Sequence, residues 1–239
     1  MRKLLALTAA VLMVACGIGA GAAHAQTVAD LGMAGMDPRS GKPPKQVVIF
    51  FHGYTQRGVA MKALADTLAR RLPDAAFIFN DGPIPAGDGR AWYVMRGDDP
   101  ENTRGAVTKL AVDTVTRASE GLGVPRERIV VVGFSQGGGV AFDAGACSSP
   151  DVKAVVSLAG VLANTCKREP GQAAANVLIV HNDGDPVVSG TRIVQFREAL
   201  AAAGYESQLE TVAGTAHWPS GAGLNKAKDF IVAQLTGSN

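Results

Sequence analysis

Short, almost wholly apolar runs separated by segments of helical period constrain this chain more than any other feature. Residues 46–51 (QVVIFF) have the continuous apolar character of a strand buried on both faces. Residues 75–79, 128–132, 153–159 and 176–181 read as strands of the same kind, and 206–212 as a last one. Between the first two lies 59–72, with Met61, Leu64, Ala65, Leu68 and Leu72 at helical spacing and Pro73 as its stop. Asp99-Pro100-Glu101 reads as an N-cap followed by proline at the first helical position. The helix it opens carries Val107, Leu110, Ala111, Thr114, Val115 and Ala118 on one face. Residues 140–146, 190–203 and 224–235 supply further helices. Residues 26–45 read as an irregular lead-in. Residues 80–99 read as a loop with one apolar patch, Trp92-Tyr93-Val94-Met95. Strands alternating with helices make an α/β protein with a mainly parallel sheet and helices on both faces, and its chemistry belongs at the carboxyl ends of the strands.

The first 25 residues stand apart from this pattern. Arg2 and Lys3 precede an apolar run that is too short to span a bilayer, and Ala23-His24-Ala25 forms a small-x-small site. This is the pattern of a secretory signal peptide cleaved after Ala25, leaving 26–239 as one catalytic-sized domain in an exported protein, periplasmic or extracellular. The weaker alternative is a lipoprotein anchored at Cys16, weaker because leucine rather than Met13 usually opens such a box. No later segment is long and apolar enough for a transmembrane helix. The leader holds two of the 23 basic residues and none of the 21 acidic ones, so the remainder is balanced at 21 of each. No basic cluster interleaved with aromatics occurs, so nucleic acid is not an expected partner.

Gly133-Phe134-Ser135-Gln136-Gly137 has the form G-x-S-x-G. Alone the motif is weak, but here an apolar strand runs into it and a helical segment leaves it. That context makes a sharp strand-to-helix turn with the serine hydroxyl projecting beyond the sheet. A serine needs a base. Outside the leader the histidines are His52, His181 and His217, each at or just after a strand end. The order serine, acid, histidine that accompanies this motif selects His217. The acid then lies in His181-Asn182-Asp183-Gly184-Asp185-Pro186, where Asp185 is preferred and Asp183 is its rival. A metal site of His181, Asp183 and Asp185 lacks the further ligands a calcium loop needs. Acyl transfer also needs an oxyanion hole, expected from the backbone N–H groups of Gln136 and Tyr54, with His52 ordering the Tyr54 loop.

These pieces resemble the α/β-hydrolase superfamily, in particular the phospholipase/carboxylesterase family that includes the acyl-protein thioesterases. Phe51-His52-Gly53, Gly89-Arg90-Ala91-Trp92-Tyr93, the run from Gly133 to Gly138, the run from Asn182 to Val188, and Ala216-His217 carry the resemblance in the family's order. It implies an α/β-hydrolase fold without a large lid domain, a triad of Ser135, Asp185 and His217, and cleavage of carboxylic or thio-ester bonds with no cofactor or metal. Tyr54-Thr55-Gln56 stands where the family usually has a second glycine. That loop, with Cys147 and Cys166, is more similar to secreted polyhydroxybutyrate-depolymerase or feruloyl-esterase relatives. The substrate is thus expected to be a small or polymeric ester. A non-catalytic binding protein and a peptidase are the rival functions; an intact Ser, His and Asp set speaks against the first and the missing large lid domain against the second.

Trp92, Tyr93, Val94, Met95 and Trp218 are candidate walls of the substrate pocket. With Cys16 lost in the leader, Cys147 and Cys166 are the two remaining cysteines. An oxidising compartment favours their closure into a disulfide, away from the active-site edge.

Overall fold

The computed structural model describes residues 26–95, 100–149, 151–160 and 166–237. The expected signal segment with Cys16, and the expected N-cap Asp99, lie outside the described residues.

A seven-stranded sheet forms the centre. Its strands are β1 (Gly35–Met36), β2 (Gln46–Phe51), β3 (Ala75–Ile78), β6 (Ile129–Phe134), β7 (Ala154–Leu158), β8 (Asn176–Asn182) and β9 (Ser207–Val212). Their order is β1-β3-β2-β6-β7-β8-β9. Every pairing is parallel except that of β1 with β3. A separate hairpin joins β4 (Ile84–Ala86) to β5 (Gly89–Ala91). Both β1 and this hairpin fall where the sequence reads as irregular. Two- and three-residue strands are too short to show a period of two, and their pairing partners rather than their own pattern define them.

The side chains of β2 part to the two faces of the sheet. Val47, Ile49 and Phe51 join one core with the buried stripe of α2 (Pro100–Leu122), with α3 (Gln136–Phe142) and with Ile193, Phe196 and Leu200 of α4 (Gly190–Ala202). Val48 and Phe50 join the other with Leu64 and Leu68 of α1 (Lys62–Ala69) and Ala227, Ile231 and Leu235 of α5 (Gly221–Thr236). All six residues of β2 and of β6 are buried. Each fully buried Val, Leu, Ile or Phe contributes roughly 1.5–3 kcal/mol, so the apolar run that identifies a central strand also stabilises it.

Helix boundaries differ from the sequence reading: α1 stops at Ala69 rather than 72, and α5 begins at Gly221 rather than 224. The stretch before α1 tightens into a 3-10 turn at Gly58–Met61. Beyond α3 the chain widens into a π-helical turn, Asp143–Ser148. The strands β2, β6, β8 and β9 all end at one edge of the sheet. His52, Ser135, the loop carrying Asp185, and His217 follow from those ends.

Candidate active site

β6 delivers Ser135 through a turn that its neighbours make possible. Ser135 has φ 51° and ψ −116°, a conformation most side chains avoid. A Cβ on Gly133 would lie 1.9 Å from the Gly137 carbonyl oxygen, and one on Gly137 would lie 2.1 Å from that of Phe51. Only glycine fits at either position. The Ser135 N–H donates to Leu158 O at 2.9 Å, and the Gly138 N–H donates to Ser135 O at 2.9 Å. The strained residue is therefore tied to β7 on one side and to α3 on the other.

His217 Nε2 lies 2.8 Å from Ser135 Oγ, and His217 Nδ1 lies 2.8 Å from Asp185 Oδ2. A carboxylate can only accept, so Nδ1 carries the proton and Nε2 is left to accept from the serine hydroxyl. Asp185 Oδ1 accepts the Val187 N–H at 2.8 Å and the Val188 N–H at 3.0 Å. Burial pushes the Asp185 carboxyl up, but the bonds from His217, Val188 and Val187 outweigh it and hold the group below the ordinary carboxylate range. The rival acid, Asp183, is exposed and accepts the Gly214 N–H at 3.1 Å. Asp183 therefore braces the histidine loop and does not touch His217. His181, Asp183 and Asp185 do not converge as metal ligands, and no cluster of three potential ligands occurs among the described residues.

Asn182 clamps the same loop. Its Nδ2 donates to Ala216 O at 2.7 Å and Trp218 O at 2.9 Å, and its Oδ1 accepts the Ser220 N–H at 3.0 Å. The Phe134 ring packs against that of His217 at a tilt of 45°, with centroids 4.9 Å apart. Sequence reasoning passed over Asn182. Its signal was an amide side chain at the buried end of a strand, where such a group must find backbone partners.

On the other flank, His52 is fully buried and both its nitrogens are paired. The Gly82 N–H donates to Nε2 at 2.9 Å, which places the ring proton on Nδ1 for donation to Gly53 O at 2.8 Å. Burial lowers its pKa and keeps it neutral. Trp92 Nε1–H donates to His52 O at 2.8 Å. The loop so held presents Tyr54, whose N–H makes no hydrogen bond among the described residues. Gln136 stands at the first position of α3, where a backbone N–H has no helical acceptor. Its side chain is committed elsewhere: Oε1 accepts the Trp92 N–H at 2.9 Å and Nε2 donates to Tyr93 O at 2.8 Å. That link between the serine turn and the 92–93 loop is also absent from the sequence reading.

Beside Tyr54 a cavity of about 490 Å³ opens, lined by Ile84, Pro85, Tyr93, Val94 and Met95 with the two alanines of the β4–β5 hairpin. Tyr93 and Met95 stand where the sequence places pocket walls. Trp92 does not. It is 1% exposed, packs edge-on against Phe51 and spends its indole N–H on His52, so it is a core residue that braces the loop. Trp218 is not on this cavity either; it meets the Phe134 ring edge-on at 4.7 Å. Cys147 and Cys166 form a disulfide. Cys147 lies in the π-helical turn beyond α3, about a dozen residues after Ser135.

Residues 38–235 match the model of the family described as Phospholipase/Carboxylesterase. Esterase YpfH of Escherichia coli (strain K12) is 26% identical over 195 residues, which cover 80% of this chain and 83% of that protein. Acyl-protein thioesterase 1 of Neurospora crassa is 26% identical over 215 residues, which cover 79% of this chain and 86% of that protein. Among solved structures, that of esterase PE8 superposes with a TM-score of 0.74 at 24% identity, covering 83% of this chain and 96% of the other, a likeness of fold.

Proposed function

Because this chain belongs to the phospholipase/carboxylesterase family of α/β-hydrolases, we propose that it is an exported serine carboxylesterase working through Ser135, His217 and Asp185. The family membership and the esterase relatives establish an ester-hydrolysing serine hydrolase. The observation that carries the finer reading is the continuous pair of 2.8 Å contacts from Ser135 Oγ through the His217 ring to Asp185 Oδ2.

Ser135 Oγ attacks the ester carbonyl while His217 Nε2 takes its proton. Asp185, held as an anion, stabilises the imidazolium that forms. The carbonyl oxygen becomes an oxyanion and accepts the N–H groups of Tyr54 and Gln136, each worth on the order of 10²- to 10³-fold in rate. His217 returns the proton to the leaving alcohol or thiol. Water then attacks the acyl-serine with His217 again as base, releasing the acid. The acyl group lies in the cavity beside Tyr54. Tyr54 and Met95, which line it, are 46% and 54% exposed, and an apolar rim of this kind suits an ester whose acyl part is itself apolar. Export is supported by the leader-like first 25 residues and by the disulfide, a bond of oxidising compartments.

The test is Ser135→Ala with a fluorophosphonate probe. The wild-type protein is expected to be labelled at Ser135. The variant is expected to fold, to remain unlabelled and to lose on the order of 10⁴- to 10⁶-fold in turnover on an activated ester. A variant that keeps more than a few per cent of the rate rules Ser135 out as the nucleophile.

A further inference from the structure

His181 is the one histidine of this edge for which the hydrolytic scheme has no use. It is the penultimate residue of β8, 1% exposed, and neither ring nitrogen has a hydrogen-bond partner among the described residues. The contrast with His52 is direct, since there both nitrogens are satisfied. A buried imidazole with two unmet polar atoms is costly and calls for an explanation.

The surroundings supply one. His181 Nδ1 lies 3.8 Å from Asp185 Oδ2, about 1 Å beyond a hydrogen bond. Asp185 Oδ1 already accepts two amides, whereas Oδ2 accepts only the His217 Nδ1–H. A carboxylate oxygen has room for two donors. A donor without an acceptor thus faces an acceptor with a free lone pair.

We propose that His181 is a positioning residue of the triad, donating its Nδ1–H to the free lone pair of Asp185 Oδ2 in the working enzyme. The proposal rests on the triad reading above. It makes Asp185 the acceptor of four donors and divides its charge between two imidazoles, so less of that charge acts on His217. The ring must be neutral to donate without repelling His217, and burial lowers its pKa against the opposing pull of Asp185 and Asp183, with His217 adding to the lowering. Those three are the titratable groups that act on it. On the adjoining β9, Thr211 stands opposite His181, while Glu210 is opposite Val180 and pairs with Lys226 on the other face.

Removing the donor has a definite sign. The Asp185 charge then acts undivided on His217 and favours its protonated form, so the acid limb of the rate profile moves to higher pH. The carboxylate is also held less firmly, which lowers kcat more than it raises KM.

The experiment compares His181→Leu with His181→Asn on an activated ester across pH, with thermal unfolding in parallel. Leucine fills the site and removes the Nδ1 donor together with the unpaired Nε2. It is expected to unfold close to the wild-type temperature, the two losses offsetting each other, yet to show kcat lower by about tenfold and an acid limb higher by about half a pH unit. Asparagine places an amide N–H where Nδ1 stood and is expected to restore most of both. Should the leucine variant not fold, His181→Gln replaces it, since glutamine mimics Nε2 and is expected to show the same losses. A leucine variant with wild-type kcat and limb, or an asparagine variant as impaired as leucine, overturns the proposal. Ser135→Ala in the same assay separates the two levels. If that variant is active, the triad reading and this proposal both fall; if it is inactive while His181→Leu is unimpaired, only the role of His181 falls.

Discussion

Asp183 and Asp185 stand two residues apart in one loop, yet only one of them meets His217. Pro186 follows Asp185 and has no N–H, so the loop turns its next two amides, from Val187 and Val188, onto Asp185 Oδ1. That leaves Oδ2 for the imidazole. Asp183 faces the Gly214 N–H instead. Asp185→Asn is therefore expected to lower turnover by roughly 10⁴-fold, because an amide cannot enforce the tautomer the base needs. Asp183→Asn is expected to cost no more than a few-fold, as it keeps an oxygen for the Gly214 amide. Steady-state rates of the two variants on one activated ester check this; equal losses move the catalytic role to Asp183. From the sequence, Ser135 and His217 were legible through motif and chain order, and Asp185 was preferred as the acid over its rival Asp183. The fate of Trp92 was not legible. An aromatic beside a loop serves equally as pocket wall or as core, and its partners Phe51 and His52 are some forty residues away.

At the scale of elements, the cavity wall depends on a contact between two helical segments. Arg104 of α2 bonds Asp143 of the π-helical turn at 2.9 Å, with side chains 11% and 12% exposed. The same guanidinium lies 5.4 Å over the ring of Tyr93, which lines the cavity. Burial raises the Asp143 carboxyl against the pull of Arg104, so the partner is needed to keep that acid charged. Arg104→Ala strands a buried carboxylate and is expected to destabilise the fold by about 3 kcal/mol. Arg104→Met combined with Asp143→Leu is expected to recover most of that. Denaturant unfolding of both variants is the check, and a single variant as stable as wild type shows the pair to be dispensable. The long helices and central strands here were readable because their burial patterns repeat several times within one element. The β4–β5 hairpin, which floors the cavity, offers only three residues a side and was not.

For the whole molecule, the sheet gathers the reacting groups at one edge, while the disulfide closes a connection away from it. The bridge spans a sequence separation of 19, for which chain entropy gives about 3 kcal/mol. Reduction is accordingly expected to lower the unfolding temperature by roughly 6–12 °C for a domain of this size, with kcat changed less than twofold. Calorimetry and rate measurements with and without reductant test this; a loss of turnover at unchanged stability would place the bridge's effect at the active-site edge. The sequence by itself determined the α/β architecture, the buried central strands, the strained turn at Ser135 and the edge where chemistry belongs. Hydrophobic period and turn chemistry are properties of adjacent residues, so they are written locally. Tertiary structure alone decided that Asp183 turns to the Gly214 amide, that His181 stands unpaired beside Asp185, and that Gln136 and Asn182 spend their side chains on loops. His217 reaches Asp185 across 32 residues and Ser135 across 82. At such separations burial and hydrogen-bond geometry are set by the packing of the whole sheet, and no local pattern of residues encodes them.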